Sequence, residues 1–187
     1  MLFCGYQLRR LDLRHIWCDV PYRGVDCRLG LDIISYRGTQ FGRIMDRYAA
    51  ATDMLGYIRT IASATILCRD FNGMGMQSDV VAIWVPDREN DAVDKIRALN
   101  SEAPPNDLFR SLDGFDLSRP IPSYHSMLFQ PGLFDRLDAT QQRLWSVKLN
   151  QCGLLSSVEE AHLIRTEFHM VAGMHEVVPI AVYSSAS

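Results

Sequence analysis

Val25, Cys27, Leu29, Leu31 and Ile33 alternate with Asp26, Arg28, Gly30 and Asp32. That is the period of two a half-buried strand requires. The run Leu11–Val20 precedes it across Pro21-Tyr22-Arg23-Gly24. Pro21 supplies the fixed φ of a turn start, and Gly24 can adopt the positive φ that closes a short loop. The pattern predicts a β-hairpin over Leu11–Val20 and Val25–Tyr36. Its register pairs Val20 with Val25 and, two positions outward, Cys18 with Cys27 as reduced cross-strand neighbours.

The period then changes. Phe41, Ile44, Met45, Tyr48, Leu55, Ile58, Ala62 and Ile66 recur at helical spacing, which predicts a helix over 40–68 capped by Thr39. Gly42 and Gly56 weaken it, and a break is expected near 52–56. Asp70-Phe-Asn-Gly-Met-Gly75 reads as a loop by composition. Val80–Val85 is a continuous apolar run bounded by Asp79 and Pro86, the signature of a buried strand. Asp87 opens a short helix to about Leu99, with acids in its first turns where the macrodipole favours them.

The proline-rich stretch 101–130 shows little periodicity, and an irregular segment of that length has to pack on something. Phe109, Phe115, Tyr124, Met127, Leu128 and Phe129 are its candidate anchors. Beyond it, Asp138-x-x-Gln141 is a capping-box pattern for a helix over 139–152, with Gly153 just past its end. Ser156-x-x-Glu159, overlapped by Ser157-x-x-Glu160, opens a second helix over 157–172. The two predict an αα-hairpin burying Leu144, Trp145, Leu149, Ile164, Phe168 and Val171. Val177, Val178, Ile180 and Val182 mark a final strand over Glu176–Ser184. The expected architecture is a single α+β domain over 1–187. It has an N-terminal hairpin, a long helix, further strands in a mixed sheet, and a C-terminal αα-hairpin followed by a last strand.

Composition narrows the setting. A chain of 187 residues with 48% hydrophobic side chains can bury a core of its own, without disulfide or metal staples. Five cysteines, odd in number and without a C-x-x-C, are neither a disulfide framework nor a zinc site. Free thiols in the cytoplasm are the expectation. Arg9 and Arg10 interrupt any apolar N-terminal region, so no signal peptide is expected, and no apolar run approaches the ~20 residues of a membrane span. All basic residues but Lys95 and Lys148 are Arg, the habit of a GC-rich genome, bacterial or phage. The net charge of −3 disfavours nonspecific attraction to nucleic acid or anionic lipid. Residues 1–60 carry nine Arg against six Asp, which leaves the N-terminal part mildly basic.

Motifs for chemistry are sparse. Gly73-Met-Gly75 follows a predicted helix and precedes a strand, the reverse of the order a nucleotide-binding loop needs. Glu159 and His162 stand at i, i+3, but no second E-x-x-H exists to complete a carboxylate-bridged metal site. His162 and His169 are seven residues apart, about 10.5 Å along a helix. Ligands sit ~2 Å from a zinc ion, so one ion cannot reach both histidines. No nucleophile elbow or cysteine-protease signature occurs. Neither a metal nor a nucleotide cofactor is expected.

Around the predicted hairpin, Arg14, Trp17, Tyr22, Arg23 and Arg28 mix guanidinium and aromatic groups, as partner-binding surfaces do. Such a surface can also stack single-stranded nucleic acid, but Asp12, Asp19, Asp26 and Asp32 oppose that use. The sequence therefore favours a non-enzymatic protein that binds a macromolecular partner, another protein, as adaptor, inhibitor or assembly component. The alternative is an enzyme whose site assembles from His125, Glu159, His162 and His169.

Overall fold

A computed structural model describes residues 1–14, 20–24, 46–48, 50–52, 57–86, 104, 108–119, 125–126, 149–172 and 177–185. Among the described residues five strands form one sheet: β1 (Leu2–Arg10), β2 (Ser78–Val85), β3 (Phe109–Arg119), β4 (His125–Ser126) and β5 (Val178–Ser185). Their order is β1-β2-β5-β3-β4. Every pairing among the described strands is antiparallel. Helices α1 (Ile61–Gly73) and α2 (Val158–Ala172) pack on the sheet. The α+β class holds.

The first strand lies upstream of the predicted hairpin. Arg9 pairs with Asp79 and Tyr6 with Ala82, while Cys4 forms a bulge between Phe3 and Gly5. Leu11 and Asp12 are bends, and among the described residues a bridge joins Arg14 to Pro21. The Tyr22 amide donates to Leu13 O and the Arg23 amide to Cys152 O, which draws the Pro21–Gly24 segment inward. Residues 15–19 and 25–36, with Cys18 and Cys27, lie outside the described residues, as does the predicted helix 87–99.

The long helical pattern is interrupted as expected. Residues 46–48 and 50–51 are helical, and Thr52 then bridges to Ile58. A new helix starts after Thr60, whose Oγ1 accepts from the Ser63 amide at 3.2 Å. This satisfies a donor that a helix start leaves without an intrahelical partner. The predicted loop 70–75 is corrected: α1 continues through Gly73. It closes on Gly75 at φ +86, with the Met76 amide donating to Phe71 O.

The irregular segment expected over 101–130 is also corrected, because it contains the eleven-residue strand β3. Two register shifts, between Phe109 and Ser111 and between Leu112 and Gly114, break the alternation that would have revealed it. In the C-terminal third, α2 starts as predicted, with the Ser157 hydroxyl accepting from the Glu160 amide and the Glu160 carboxylate accepting from the Ser156 amide. The helix expected up to Cys152 does not reach that far. Leu149 bridges to Leu155, and Asn150–Gly153 form a turn with Gly153 at φ +67. Residues 139–148 lie outside the described residues.

Among the described residues the core has two parts. Tyr6, Leu8 and Ala82 share one face of the sheet and pack against Ala64, Leu67 and Phe71 of α1. A larger cluster joins Val81, Ile83, Ile180 and Val182 of the sheet to Tyr22, Leu154 and Leu155, with Ala161 and Ile164 of α2.

Candidate functional site

Among the described residues the densest polar constellation surrounds Arg9. The β1–β2 register sets Arg9 opposite Asp79. The guanidinium grips that carboxylate with two donors, Nε to Oδ1 at 2.7 Å and Nη2 to Oδ2 at 3.0 Å. Nη1 donates to Arg23 O at 2.8 Å and to Asp113 Oδ2. Asp113 is the extra residue of the second β3 bulge, and the bulge turns its carboxylate toward both Arg9 and Ser184, whose hydroxyl donates at 3.0 Å. Asn150 closes the outer side: Nδ2 donates to Asp113 O, and Oδ1 accepts from the Cys152 and Leu154 amides.

Burial alone works against the Arg9 charge, yet the hydrogen bonds and charges of Asp79 and Asp113 outweigh it and hold the group above its ordinary pKa. A guanidinium has five N–H donors in a fixed fork. Here each of its three nitrogens is already committed to a carboxylate or carbonyl. Little donor capacity remains for an anionic ligand. The arrangement ties four strands and the Pro21–Gly24 segment together, and its chemistry is that of a scaffold.

The Cys152 thiol borders this cluster. Burial pushes its pKa up, the nearby Asp113 charge adds to the rise, and Arg9 and Arg23 only partly oppose it. A thiol held in its neutral form is a poor nucleophile.

Of the sequence-predicted binding residues, Arg14, Tyr22 and Arg23 fall among the described residues. Arg14 is exposed. Arg23 is half-buried, with Nη1 donating to Leu11 O at 2.9 Å. Tyr22 is buried, and its hydroxyl donates to Asp116 Oδ2 at 2.7 Å. Trp17 and Arg28 lie outside the described residues. Of the alternative set, Glu159 is exposed on α2, and His162 and His169 are half-buried on the same helix. His125 is placed by its backbone in β4, opposite Arg119. Among the described residues no three His, Cys, Asp or Glu side chains group as a metal site requires.

Sequence reasoning missed a different surface. On the sheet face that carries α1, aromatic rings extend beyond the helix. Phe3 meets Trp84 at 4.9 Å and Tyr6 at 5.2 Å between ring centroids. Tyr6 meets Phe109 at 5.7 Å, and Trp84 meets Tyr183 at 6.2 Å. Phe3, Trp84, Phe109 and Tyr183 are each half-buried. Leu112, paired with Tyr183, is 43% exposed, and Met1 is 49% exposed with its Sδ 3.9 Å from the Tyr183 hydroxyl. The residues come from β1, β2, β3 and β5, so only their pairing assembles them.

No family model matches this chain, and no curated protein or solved structure does. No helix among the described residues is long and apolar enough to cross a membrane.

Proposed function

We propose that this protein acts by binding another protein through the aromatic face built from Phe3, Trp84, Phe109, Leu112 and Tyr183. The observation that carries this reading is the continuity of the surface. Its rings touch one another in a chain, and it ends in Leu112 and Met1, both of which leave over two-fifths of their surface in water. Contiguous exposed apolar patches mark interaction sites, and aromatic residues and Met are enriched at protein interfaces.

Leu112→Glu tests the proposal by placing a charge on the face without emptying the core. A protein captured from host lysate by the parent chain should be lost with Leu112→Glu. It should be retained with Leu163→Glu, a charge at an exposed α2 position outside the ring contacts. Capture that survives Leu112→Glu would refute the surface. Absence of any capture, together with turnover of a small molecule, would favour the enzyme reading around His125, Glu159, His162 and His169.

A further inference from the structure

Asn72-Gly73 is the one Asn-Gly pair in the chain. It lies in the last turn of α1, on residues exposed to solvent. In an unfolded chain such a pair is chemically labile. The Gly73 nitrogen attacks Asn72 Cγ, unhindered because glycine has no Cβ. The nitrogen's proton goes to a solvent base, a C–N bond closes a cyclic imide, and ammonia leaves. Water then opens the imide to aspartate or isoaspartate.

In the fold the Asn72 amide is otherwise engaged. Its Oδ1 accepts from the Ser78 amide at 2.7 Å and from the Ser78 hydroxyl at 3.2 Å. Its Nδ2 donates to Ser78 O at 3.1 Å and to Cys68 Sγ at 3.5 Å. The side chain thus clips the end of α1 to the first residue of β2, while helical geometry occupies the Gly73 nitrogen. Phe71 and Met76 anchor this turn in the core, but its glycines face solvent: a Cβ added at Gly73 or at Gly75 would meet nothing within 4 Å. Solvent-exposed helix ends open at lower free energy than core elements.

We propose that Asn72 is a guarded deamidation site, inert while the Ser78 clip holds and converted whenever the last turn of α1 opens. Conversion is one-way for the structure. An aspartate has no N–H to return to Ser78 O, so the clip cannot re-form with both of its halves. The residue next to Ser78 is Asp79, the carboxylate that Arg9 grips.

The full chain, incubated in mildly alkaline buffer, tests this by intact mass and peptide mapping. In denaturant, position 72 should gain one mass unit faster than any other asparagine. In the folded protein the same conversion should be at least about tenfold slower, as expected for chemistry gated by local opening. The rate should also climb at denaturant levels below the global transition. Equal rates in the two states, or conversion at 72 in neither, would overturn the guarded site. A rate that rises only with global unfolding would overturn the local opening.

Discussion

The Tyr22 hydroxyl and the Asp116 carboxylate meet at 2.7 Å inside the core, joining positions 94 residues apart. Asp116 also accepts from the Leu117 amide at 2.7 Å. Both residues are buried. Removing the hydroxyl strips a buried carboxyl group of a donor. Tyr22→Phe should therefore lower unfolding free energy by about 1–3 kcal/mol, measured by urea denaturation. A change within error of zero would mean that this bond does not hold the Pro21–Gly24 segment.

Gly24 lies directly on that pair. A Cβ there would stand 2.3 Å from the Tyr22 hydroxyl oxygen and 2.4 Å from Asp116 Oδ2. Gly24→Ala should cost about 1–3 kcal/mol, as overpacking does. Because the alanine acts by displacing the bond that Tyr22→Phe deletes, the double variant should lose less than the sum of the two. A double-mutant cycle with full additivity would contradict the contact.

Arg9→Leu should be more severe. It leaves Asp113 and the inner part of Asp79 without their cation, and breaking a buried ion pair from one side costs about 3–5 kcal/mol. Arg9→Lys should recover only part of the loss. Lysine offers a point charge and cannot reproduce the two-pronged grip on Asp79. Guanidinium denaturation of the three proteins orders them, and a lysine variant as stable as the parent would refute the geometric argument.

Cys68 and Cys152 should resist alkylation near neutral pH. Burial raises both thiol pKa values, with Asp79 adding to the effect at Cys68 and Asp113 at Cys152. A raised acid pKa favours the protonated form in the fold. The associated stability is present below the unfolded thiol pKa and is lost as pH rises through the higher folded value. Labelling rates for the folded protein should therefore trail those of a denatured sample until pH passes the ordinary thiol range. Rapid labelling at Cys68 or Cys152 of the folded protein at neutral pH, read by peptide mapping, would contradict the raised thiol pKa values.

Elements with local signals were legible in the sequence. The apolar run of β2, the Val177–Val182 pattern of β5 and the Ser157 cap of α2 all state their structure within a few residues. Where a long-range partner decides, the pattern misleads. Arg9 disguises β1, because its reasons for turning inward lie 70 and 104 residues away at Asp79 and Asp113. Bulges and inward aspartates disguise β3 in the same way. Asn72-Gly73 reads as a loop until Ser78 supplies the partner that lets the helix end there. Tyr22 reads as a surface aromatic, and Asp116 draws it into the core. The aromatic face had no sequence signal, since its members sit singly on four strands.

The strand order carries a consequence for biosynthesis. β5 lies between β2 and β3, yet it begins about 60 residues after β3 ends. At ~5–20 residues per second, the ribosome needs roughly 3–12 s to make that interval. Throughout it, β2 and β3 have been synthesised with facing edges that have no strand to join them. Unpaired edges of this kind recruit other chains. The nascent protein is thus most exposed to mispairing while its central strand is still being translated, and slowing translation between residues 119 and 178 should lengthen that window.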